Sequence, residues 1–299
     1  MFAQAENTPV DDPLTARDGQ YTIAWMSDTQ RYSRDYPQIF LGMTRFLREN
    51  REQLNLGYVV HTGDIVSNAK KTPQWENARA AMDELKDIPH GVLAGNHDRR
   101  SATNYKDYSQ YFGEQAFSDY PYYGGSWLDN QGHYDLITLG STDFIFVYLS
   151  YHPDDEAVAW AGEAFARYPE RVGVLCVHDY LNANTTLSST GKKLNREVVA
   201  KNPNVYLVLS GHRHHEDMLV DYFDDTGDGV AERIVYQMIA NYQGLNRGGE
   251  GFIRFLQIDE EAGLIRLFTY SPVIDEFRAP PKTAKNPAAE IKIPWRIGE

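Results

Sequence analysis

The stretch Val59-Val-His-Thr-Gly-Asp64 joins an apolar, β-branched run to a glycine and a carboxylate. The stretches Val92-Leu-Ala-Gly-Asn96 and Leu207-Val-Leu-Ser-Gly-His212 repeat this arrangement, with an amide and an imidazole in place of the carboxylate. Short apolar runs that stop at a glycine are typical of buried strands. Glycine also permits a sharp turn or a close backbone approach just beyond the strand. These stretches therefore predict strands whose ends carry side chains capable of binding an ion.

Two more apolar runs end in the same way, with Asp28 after Trp25-Met-Ser27 and His178 after Val174–Val177. In open α/β sheets, ligands gather at the carboxyl ends of strands. Carboxylates, amide oxygens and imidazoles suit Mn, Fe or Zn, and a shared carboxylate can hold two ions about 3.5–4 Å apart. A site for two divalent metal ions is predicted, with these candidate ligands: Asp28, Asp64, Asn96, His178, His212 and His214.

The order of the apolar patterns predicts the fold class. Strand patterns lie at residues 21–26, 58–60, 92–94, 144–149, 172–177 and 205–209. Helical patterns occupy residues 37–50 and 73–85 and follow Asp154 and Gly191. Strand patterns at 233–239, 252–258 and 264–270 then succeed one another without a helix, and residues 291–293 add a last one. This order predicts an α/β (α+β) architecture of two stacked mixed β-sheets flanked by helices.

Composition narrows the possible partners. The 299 residues are 42% hydrophobic and 24% charged, as expected for a folded chain, and the formal net charge is −13. Nucleic-acid binders neutralise phosphates with clustered Lys and Arg, so a nucleic-acid polymer is not expected as partner. The single cysteine, Cys176, lies in an apolar run and predicts a core position, without a disulfide or a thiolate metal cluster. No apolar run approaches the roughly 20 residues of a membrane span.

Residues 1–18 are interpreted as a flexible N-terminal leader, and residues 19–299 as a single domain. Ala3-Gln-Ala5 has the small-x-small pattern of a signal-peptidase site, which favours a secreted or periplasmic protein. The alternative is a polar tail without meaning, on a cytoplasmic protein. Further along, Asp224-Asp-Thr-Gly-Asp-Gly229 resembles a calcium loop, but Val235 stands at the twelfth position where Glu is needed. A hairpin turn is predicted there.

The motifs also resemble, in their order, those of the calcineurin-like metallophosphoesterases. The matching stretches are Asp28-Thr-Gln30, Gly63-Asp64, Gly95-Asn-His-Asp98, His178 and Gly211-His-Arg-His214. The resemblance covers about residues 20–215, and Asn241-Tyr-Gln243 is similar to a later segment of a secreted bacterial branch. It implies a four-layer αββα sandwich and a hydrolase of small phosphorylated substrates that uses two divalent ions.

The resemblance also assigns roles. It makes Asp28, Asp64 and His214 ligands of the first ion, with Asp64 bridging to the second ion, which Asn96, His178 and His212 complete. Gln30 stands where family members usually carry His, and is taken as a weaker ligand of the first ion. His97 matches the catalytic histidine, and Asp98 is a second catalytic candidate. Ser67 replaces an Asp that orients this histidine in several branches, a role that Asp98 is not assumed to take over.

Catalysis is expected from a hydroxide shared by two ions, which attacks phosphorus in line while His97 protonates the leaving group. Phosphodiesters are preferred over monoesters, because no basic pocket for a terminal phosphate is visible in the sequence. Arg247, Tyr32, Tyr180 and Tyr242 are candidate substrate contacts. Two rival functions stay open: a non-catalytic binding protein with this fold, suggested by Gln30 and Ser67, and a hydrolase of non-phosphorus esters.

Overall fold

Two seven-stranded β-sheets form the centre of the computed structural model, which describes residues 12–279 and 290–292. The strands are β1 Gln20–Met26, β2 Leu56–His61, β3 His90–Val92, β4 Tyr123–Trp127, β5 Gly132–Leu139, β6 Thr142–Leu149, β7 Val172–Val177, β8 Val205–Ser210, β9 Glu216–Phe223, β10 Arg233–Ala240, β11 Ile253–Asp259, β12 Leu264–Ser271, β13 Glu276–Phe277 and β14 Glu290–Lys292. The helices are α1 Gln30–Asp35, α2 Pro37–Glu49, α3 Thr72–Met82, α4 Lys106–Phe112, α5 Asp155–Arg167 and α6 Ser189–Leu194.

Both sheets are mixed. The first has the order β13-β12-β11-β1-β2-β3, with β14 also paired to β12, and its strands β1, β2 and β3 are parallel. The second has the order β4-β5-β6-β7-β8-β10-β9, with β6, β7, β8 and β10 parallel. Parallel strands bring their carboxyl ends to one edge. The polar residues after β1, β2, β3, β7 and β8 are therefore placed at corresponding sheet edges.

Three apolar clusters separate four layers. Between the sheets lie Tyr58, Phe146 and Met238 with their neighbours. Helices α1, α2 and α3 cover the outer face of the first sheet, where Phe40 and Trp75 belong to one cluster. Helices α5 and α6 cover the second sheet through a further cluster that includes the following residues: Phe165, Leu194, Leu175 and Val208. The predicted αββα sandwich is confirmed.

Local sequence explains where the covering helices begin and which face they bury. Pro37 occupies the first turn of α2, where its missing N–H costs no hydrogen bond, and Phe40, Met43 and Leu47 follow on one buried face. Helix α5 begins after Asp154, whose carboxylate accepts a hydrogen bond from the backbone amide of Ala157 at 2.8 Å.

Several elements differ from the sequence-based expectation. Strand β3 ends at Val92, two residues earlier than expected, because its pairing with β2 begins at His90. The sequence patterns do not predict strands β4, β5, β9 and β13 or helices α1 and α4. The residues 224–232 connect the antiparallel strands β9 and β10, so the predicted hairpin turn is confirmed. Strand β14, at residues 290–292, confirms a final strand there.

Residues 1–11 of the predicted leader lie outside the described residues. Beyond them, the amide of Ala16 donates a hydrogen bond to the carbonyl of Gln53 at 2.8 Å, and Gln257 Nε2 donates to the carbonyl of Pro13. In the described part of the chain, no helix is long and apolar enough to cross a membrane.

Candidate metal centre

Backbone hydrogen bonds join the ends of strands from both sheets. The amide of Asp28 donates to the carbonyl of Gly63 at 2.9 Å, which links the loops after β1 and β2. The amide of Gly211 donates to the carbonyl of His178 at 3.0 Å, which links the loops after β7 and β8. The amide of His212 then donates to Asp28 Oδ2 at 3.0 Å and connects the two sheets.

Asp64 lies at the centre of this junction and is 2% exposed. Its Oδ2 accepts a hydrogen bond from Gln30 Nε2 at 3.0 Å. Its Oδ1 accepts one from the backbone amide of His97 at 2.9 Å and lies 3.3 Å from His178 Nε2. Each carboxylate oxygen therefore faces a different part of the site, as a carboxylate shared by two ions would require.

Ligand atoms of Asp64, His178 and His212 lie within 4.8 Å of one another and form a possible metal site. Asn96 Oδ1 is 3.2 Å from His178 Nε2 and joins the same group. His178 Nδ1 faces the carbonyl of Thr62 at 2.8 Å. This contact fixes the ring so that Nε2 points at Asp64, an outer contact typical of metal-binding histidines.

The residues expected to bind the first ion are less closely gathered. Asp28 is 1% exposed, and its Oδ1 accepts a hydrogen bond from Gln243 Nε2 at 3.1 Å. Gln30 is buried, and its Oε1 has no hydrogen-bond partner among the described residues. His214 is exposed and lies beside Gly244, outside the group that Asp64 forms with His178 and His212. The buried, unpartnered amide oxygen of Gln30 fits an ion ligand.

The electrostatics of the centre also fit a cation. Burial, and next the repulsion by Asp64, raise the pKa of Asp28 to about 7, although His178 acts in the opposite direction. Burial opposes a charge on His178, but the Asp64 and Asp28 carboxylates outweigh it and raise the pKa of this imidazole to about 10. Burial lowers the pKa of His212 to about 4. Two buried carboxylates therefore create a negative potential that a metal ion would compensate.

Three of the proposed ligands have a strained backbone. The φ angles of Asp28, Asp64 and His212 are 54°, 53° and 67°, in the left-handed region that non-glycine residues seldom adopt. Such conformations cost about 1–3 kcal/mol each and occur often at functional sites. The hydrogen bonds around the junction hold these residues in that conformation.

Glycines make the close approach possible, as predicted. A Cβ on Gly95 would lie 2.1 Å from Asp64 Oδ1, and a Cβ on Gly211 would lie 2.3 Å from Asp28 Oδ2. A Cβ on Gly63, whose φ is 91°, would lie 2.7 Å from the amide nitrogen of Gly95. None of these distances is compatible with a side chain at the three positions.

His97 faces the centre from the rim. Its side chain is 46% exposed, and its Nε2 lies 4.0 Å from Asp64 Oδ2. Its Nδ1 lies 3.0 Å from the backbone carbonyl oxygen of Ser67, while Ser67 Oγ donates to the carbonyl of Gln30. Ser67, which stands where several branches of the family carry an orienting Asp, thus contacts His97 through its main-chain carbonyl.

Asp98, the second catalytic candidate, faces the backbone and not the open side of the centre. Asp98 is fully buried, and its carboxylate accepts hydrogen bonds from the amides of Ile65, Val66 and Gly95 at 3.0, 2.8 and 2.7 Å. Burial, and next the Asp64 charge, raise its pKa to about 7, against the effect of the three amides. Asp98 fastens the loop after β2 to the loop after β3.

The three candidate tyrosines are all buried, and Tyr242 also lines a cleft beside His214. Tyr32 is 3% exposed, and its hydroxyl accepts a hydrogen bond from the amide of Gly251. Tyr180 is fully buried, and its hydroxyl accepts one from Asn195. Tyr242 is 7% exposed, and its hydroxyl is 3.0 Å from Thr269 Oγ1.

Arg247 remains a candidate substrate contact. It lies in the glycine-rich loop 244–251, its side chain is 47% exposed, and its guanidinium is 3.9 Å from Glu250. A Cβ on Gly244, at the start of this loop, would lie 3.1 Å from His214 Nδ1. The loop therefore begins next to a proposed ligand.

Two contacts to the ligands were not predicted. Gln243 donates a hydrogen bond to Asp28. In the sequence, Gln243 belongs to the segment Asn241-Tyr-Gln243, which resembles a family motif to which no role is assigned. The ring of Tyr151 lies 5.7 Å from that of His178 and 5.2 Å from that of His212. No motif in the sequence marks Tyr151.

This chain is similar in sequence to one known protein. The chain is 42% identical over 273 residues to the uncharacterized protein YvnB of Bacillus subtilis (strain 168). The match covers 90% of this chain and 21% of YvnB. The chain therefore spans about a fifth of the length of that relative.

Solved structures share the fold at low identity, so this likeness concerns the fold alone. Purple acid phosphatase PPD1 from yellow lupin (Lupinus luteus) has a TM-score of 0.61 at 13% identity, over 88% of this chain and 53% of that one. GAP50, the anchor in the inner membrane complex of Plasmodium, has a TM-score of 0.51 at 13% identity, over 90% and 92%. The sulfate thiohydrolase SoxB of Thermus thermophilus has a TM-score of 0.51 at 12% identity, over 88% and 59%.

The sequence model described as calcineurin-like phosphoesterase matches residues 21–216, the part of the chain that supplies all the proposed metal ligands. This chain belongs to the calcineurin-like phosphoesterase family.

Proposed function

We propose that this protein hydrolyses phosphate esters with two divalent metal ions, Mn, Fe or Zn, and that it accepts phosphodiesters better than monoesters. The family and the fold support metal-dependent hydrolysis of phosphate esters in general. The observation that carries the proposal is the position of Asp64, a buried carboxylate with His178, Gln30 and the amide of His97 around its two oxygens.

The donor set fits the proposed ions. Asp64, Asn96, His178 and His212 would hold one ion, and Asp28, Gln30 and His214 would hold the other together with Asp64. When bound, such ions polarise a phosphoryl oxygen and lower the pKa of a water molecule toward neutrality. The neutral amide of Gln30 supplies less electron density than an imidazole, so we expect the ion at Gln30 to be held less tightly.

The protein's own residues account for the remaining steps. His97 is exposed at the rim, and its contact with the Ser67 carbonyl directs Nδ1 away and leaves Nε2 on the side of Asp64. Because a carbonyl can only accept, Nδ1 carries a hydrogen, and Nε2 can hydrogen-bond a phosphoryl oxygen and give a proton to the leaving oxygen when the ring is protonated on both nitrogens. Arg247, in the loop beside His214, is a proposed contact for the anionic substrate.

The groups around the Asp28 and Asp64 carboxylates favour a substrate with a low negative charge. In the described residues, Asp28 and Asp64 accept hydrogen bonds from a serine hydroxyl, two glutamine amides and two backbone amides, and Asp64 also contacts the His178 imidazole, but no Lys or Arg side chain donates to either carboxylate. A diester carries one negative charge at neutral pH and needs less positive charge around it than a monoester dianion. We therefore propose the diester as the better substrate.

Turnover of bis-p-nitrophenyl and p-nitrophenyl phosphate tests this function. The metal-free protein should be inactive, and Mn²⁺ should restore turnover, with the diester faster. Asp64→Asn should lower turnover by about a hundredfold or more and reduce bound metal, because it removes the shared negative charge. Exposed Asp119 offers a matched control, since Asp119→Asn should leave both unchanged.

Three other outcomes of these assays would each lead to a different conclusion. Faster monoester turnover would reverse the proposed preference while leaving the hydrolase in place. A protein replete with metal but inert toward phosphate esters would favour a binding function, as in an anchor protein of this fold such as GAP50. Turnover confined to sulfur esters would favour the chemistry in the name of SoxB.

A further inference from the structure

A cleft of about 390 Å³ opens beside the proposed metal centre. His214 forms part of its wall, and the other residues used below are Glu216, Asn241, Tyr242, Leu245 and Arg278. The volume lies at the lower end of the range for sites that bind small molecules. Because His214 belongs to both the proposed centre and the cleft, a substrate held at the metals can extend into it.

Asn241 lines this cleft and has a side-chain hydrogen-bond donor without a partner among the described residues. The residue is 4% exposed, and its Oδ1 accepts a hydrogen bond from the amide of Gln243 at 2.9 Å. That bond fixes the orientation of the side-chain amide, so Nδ2 points the other way. Nδ2 has no hydrogen-bond partner among the described residues. A buried donor left unpaired costs free energy, which an acceptor oxygen of a ligand would recover.

Arg278 brings a positive charge. Its guanidinium lies 5.8 Å from the ring of Tyr242 and 5.7 Å from the ring of Phe252, both within the range for cation–π contacts. Its Nε is 3.4 Å from Glu216 Oε2, and the hydrogen-bond geometry leaves both atoms without a partner in the described chain. Glu216 Oε1 is already engaged by the guanidinium of Arg254. Two guanidinium groups therefore face one carboxylate, and the cleft keeps one positive charge.

The remaining wall is apolar or aromatic. Tyr242 and Leu245 line the cleft between His214 and Arg278. A flat or apolar group can pack on these side chains, while the amide donor and the guanidinium bind oxygen atoms.

We propose that this cleft binds the part of the substrate that extends beyond the scissile phosphate, and that this part carries an anion, a carboxylate or a second phosphate, which Arg278 and Asn241 recognise. The proposal rests on the proposed hydrolysis of phosphate esters and specifies its substrate class. It places the scissile phosphate at the metals and the second anion at Arg278.

Matched esters and variants test the proposal. The diester methyl phenyl phosphate is compared with methyl phenyl phosphates whose ring carries a 4-carboxylate or a 4-phosphate, and the ratio of kcat/KM, charged over uncharged, is measured for each protein. Arg278→Gln should lower this ratio by about tenfold or more, mainly through KM, because a charge-assisted hydrogen bond is lost. Arg51→Gln removes a cation from the surface near α2 and should leave the ratio unchanged. The two charged esters show which anion is preferred.

Asn241→Asp keeps the shape of the side chain and the bond from the Gln243 amide, but replaces the donor by a negative charge. It should lower the ratio at least as much as Arg278→Gln, and it keeps the test decisive if Arg278→Gln does not fold. A ratio that is unchanged in a folded variant of either kind would overturn the proposal.

Binding measurements separate this proposal from the proposed function. Calorimetry with phenylphosphonate and 4-carboxyphenylphosphonate on the metal-loaded protein needs no hydrolysis. If the wild-type protein hydrolyses none of the esters, the proposed function is refuted. Even then, tighter binding of the carboxylated phosphonate that is lost in Arg278→Gln would support an anion site in the cleft. Equal binding of the two phosphonates by wild type and Arg278→Gln would refute that site.

Discussion

At the scale of single residues, the backbone and the side chain of His97 have different roles, so metal binding and catalysis can be tested separately at this position. Its backbone amide donates to Asp64 Oδ1, whereas its side chain reaches only the carbonyl of Ser67 and the outer side of Asp64. A change of side chain therefore leaves the hydrogen bond between the main chain and the shared carboxylate in place. The carbonyl of Ser67 also means that the loss of an Asp at this position does not leave the imidazole without an orienting contact.

His97→Ala should accordingly lower turnover by about two or more orders of magnitude, the usual contribution of a positioned general acid, with the metal content near that of wild type. Turnover and elemental analysis on the same preparation measure the two quantities together. Lys106→Ala, at an exposed position on α4, serves as control and should change neither. If metal is lost along with activity, His97 is a ligand and not the acid.

Sequence reasoning was most informative for residues whose chemistry is fixed by type. Asp64, His178 and His212 meet as expected, because glycine-terminated parallel strands leave few other positions for their side chains. It was less informative for Asp98, because residue type alone does not distinguish a carboxylate that faces a substrate from one that faces three backbone amides. For Gln30, the sequence indicated a weaker ligand, and only the structure shows its oxygen to be buried and unpartnered.

At the scale of elements, two helical glycines test how the helices pack. A Cβ on Gly42, in the middle of α2, would meet only Val273 Cγ2 at 3.9 Å, an ordinary contact. Gly42→Ala should therefore raise the free energy of unfolding by about 0.5–1 kcal/mol, because alanine loses less backbone entropy in a helix. A thermal midpoint higher by about 2 °C would show this.

Gly191, in α6, is the matched opposite. A Cβ there would lie 2.1 Å from the carbonyl oxygen of Tyr180, so Gly191→Ala should lower the thermal midpoint in the same measurement. Equal effects of the two substitutions would contradict the packing described for these helices.

Elements with a strong apolar period were predicted within a few residues, as for α2 and β7. The strands that were missed carry other signals. Strand β4 contains Gly124 and Gly125, which weaken a strand pattern, and a Cβ on either would approach the Tyr134 ring within about 3 Å. Strand β5 places His133 and Asp135 in its buried stretch, and β9 begins with two acids. The side-chain partners of Asp135 and Glu216 are Tyr58 and Arg254, which lie 77 and 38 residues away along the chain, so a local pattern does not show that these acids are buried.

At the scale of the whole molecule, a polar network joins the two sheets inside the apolar core. Tyr58 on β2 donates a hydrogen bond to Asp135 on β5, and Tyr148 on β6 donates to Tyr58 at 3.0 Å. Asp135 is fully buried, and burial raises its pKa well above its usual value. His133 Nε2 lies 3.8 Å from Asp135 Oδ2, and burial lowers the pKa of this imidazole to about 3. The network thus holds a carboxyl group in a place that disfavours its charge.

The sign of the effect on stability follows from these shifts. The folded protein keeps the Asp135 proton at pH values where the unfolded chain, with a pKa near 3.8, has lost it. The contribution of Asp135 to the free energy of unfolding is therefore complete below about pH 4. It declines by up to about 1.4 kcal/mol per pH unit as the pH rises toward the raised pKa of the folded state. Asp135→Asn replaces the neutral acid by a neutral amide and has no such dependence.

We therefore expect Asp135→Asn to gain free energy of unfolding relative to wild type between about pH 5 and about pH 8, measured by urea unfolding at both values. His133 titrates in the two proteins alike, so its own contribution, which increases with pH from about 3 to its usual value, cancels in the difference. Asp119→Asn, at an exposed position, should show no change of this kind. A difference between Asp135→Asn and wild type that is the same at both pH values would show that Asp135 is already ionised between the sheets, held by Tyr58 and His133 as a charged group.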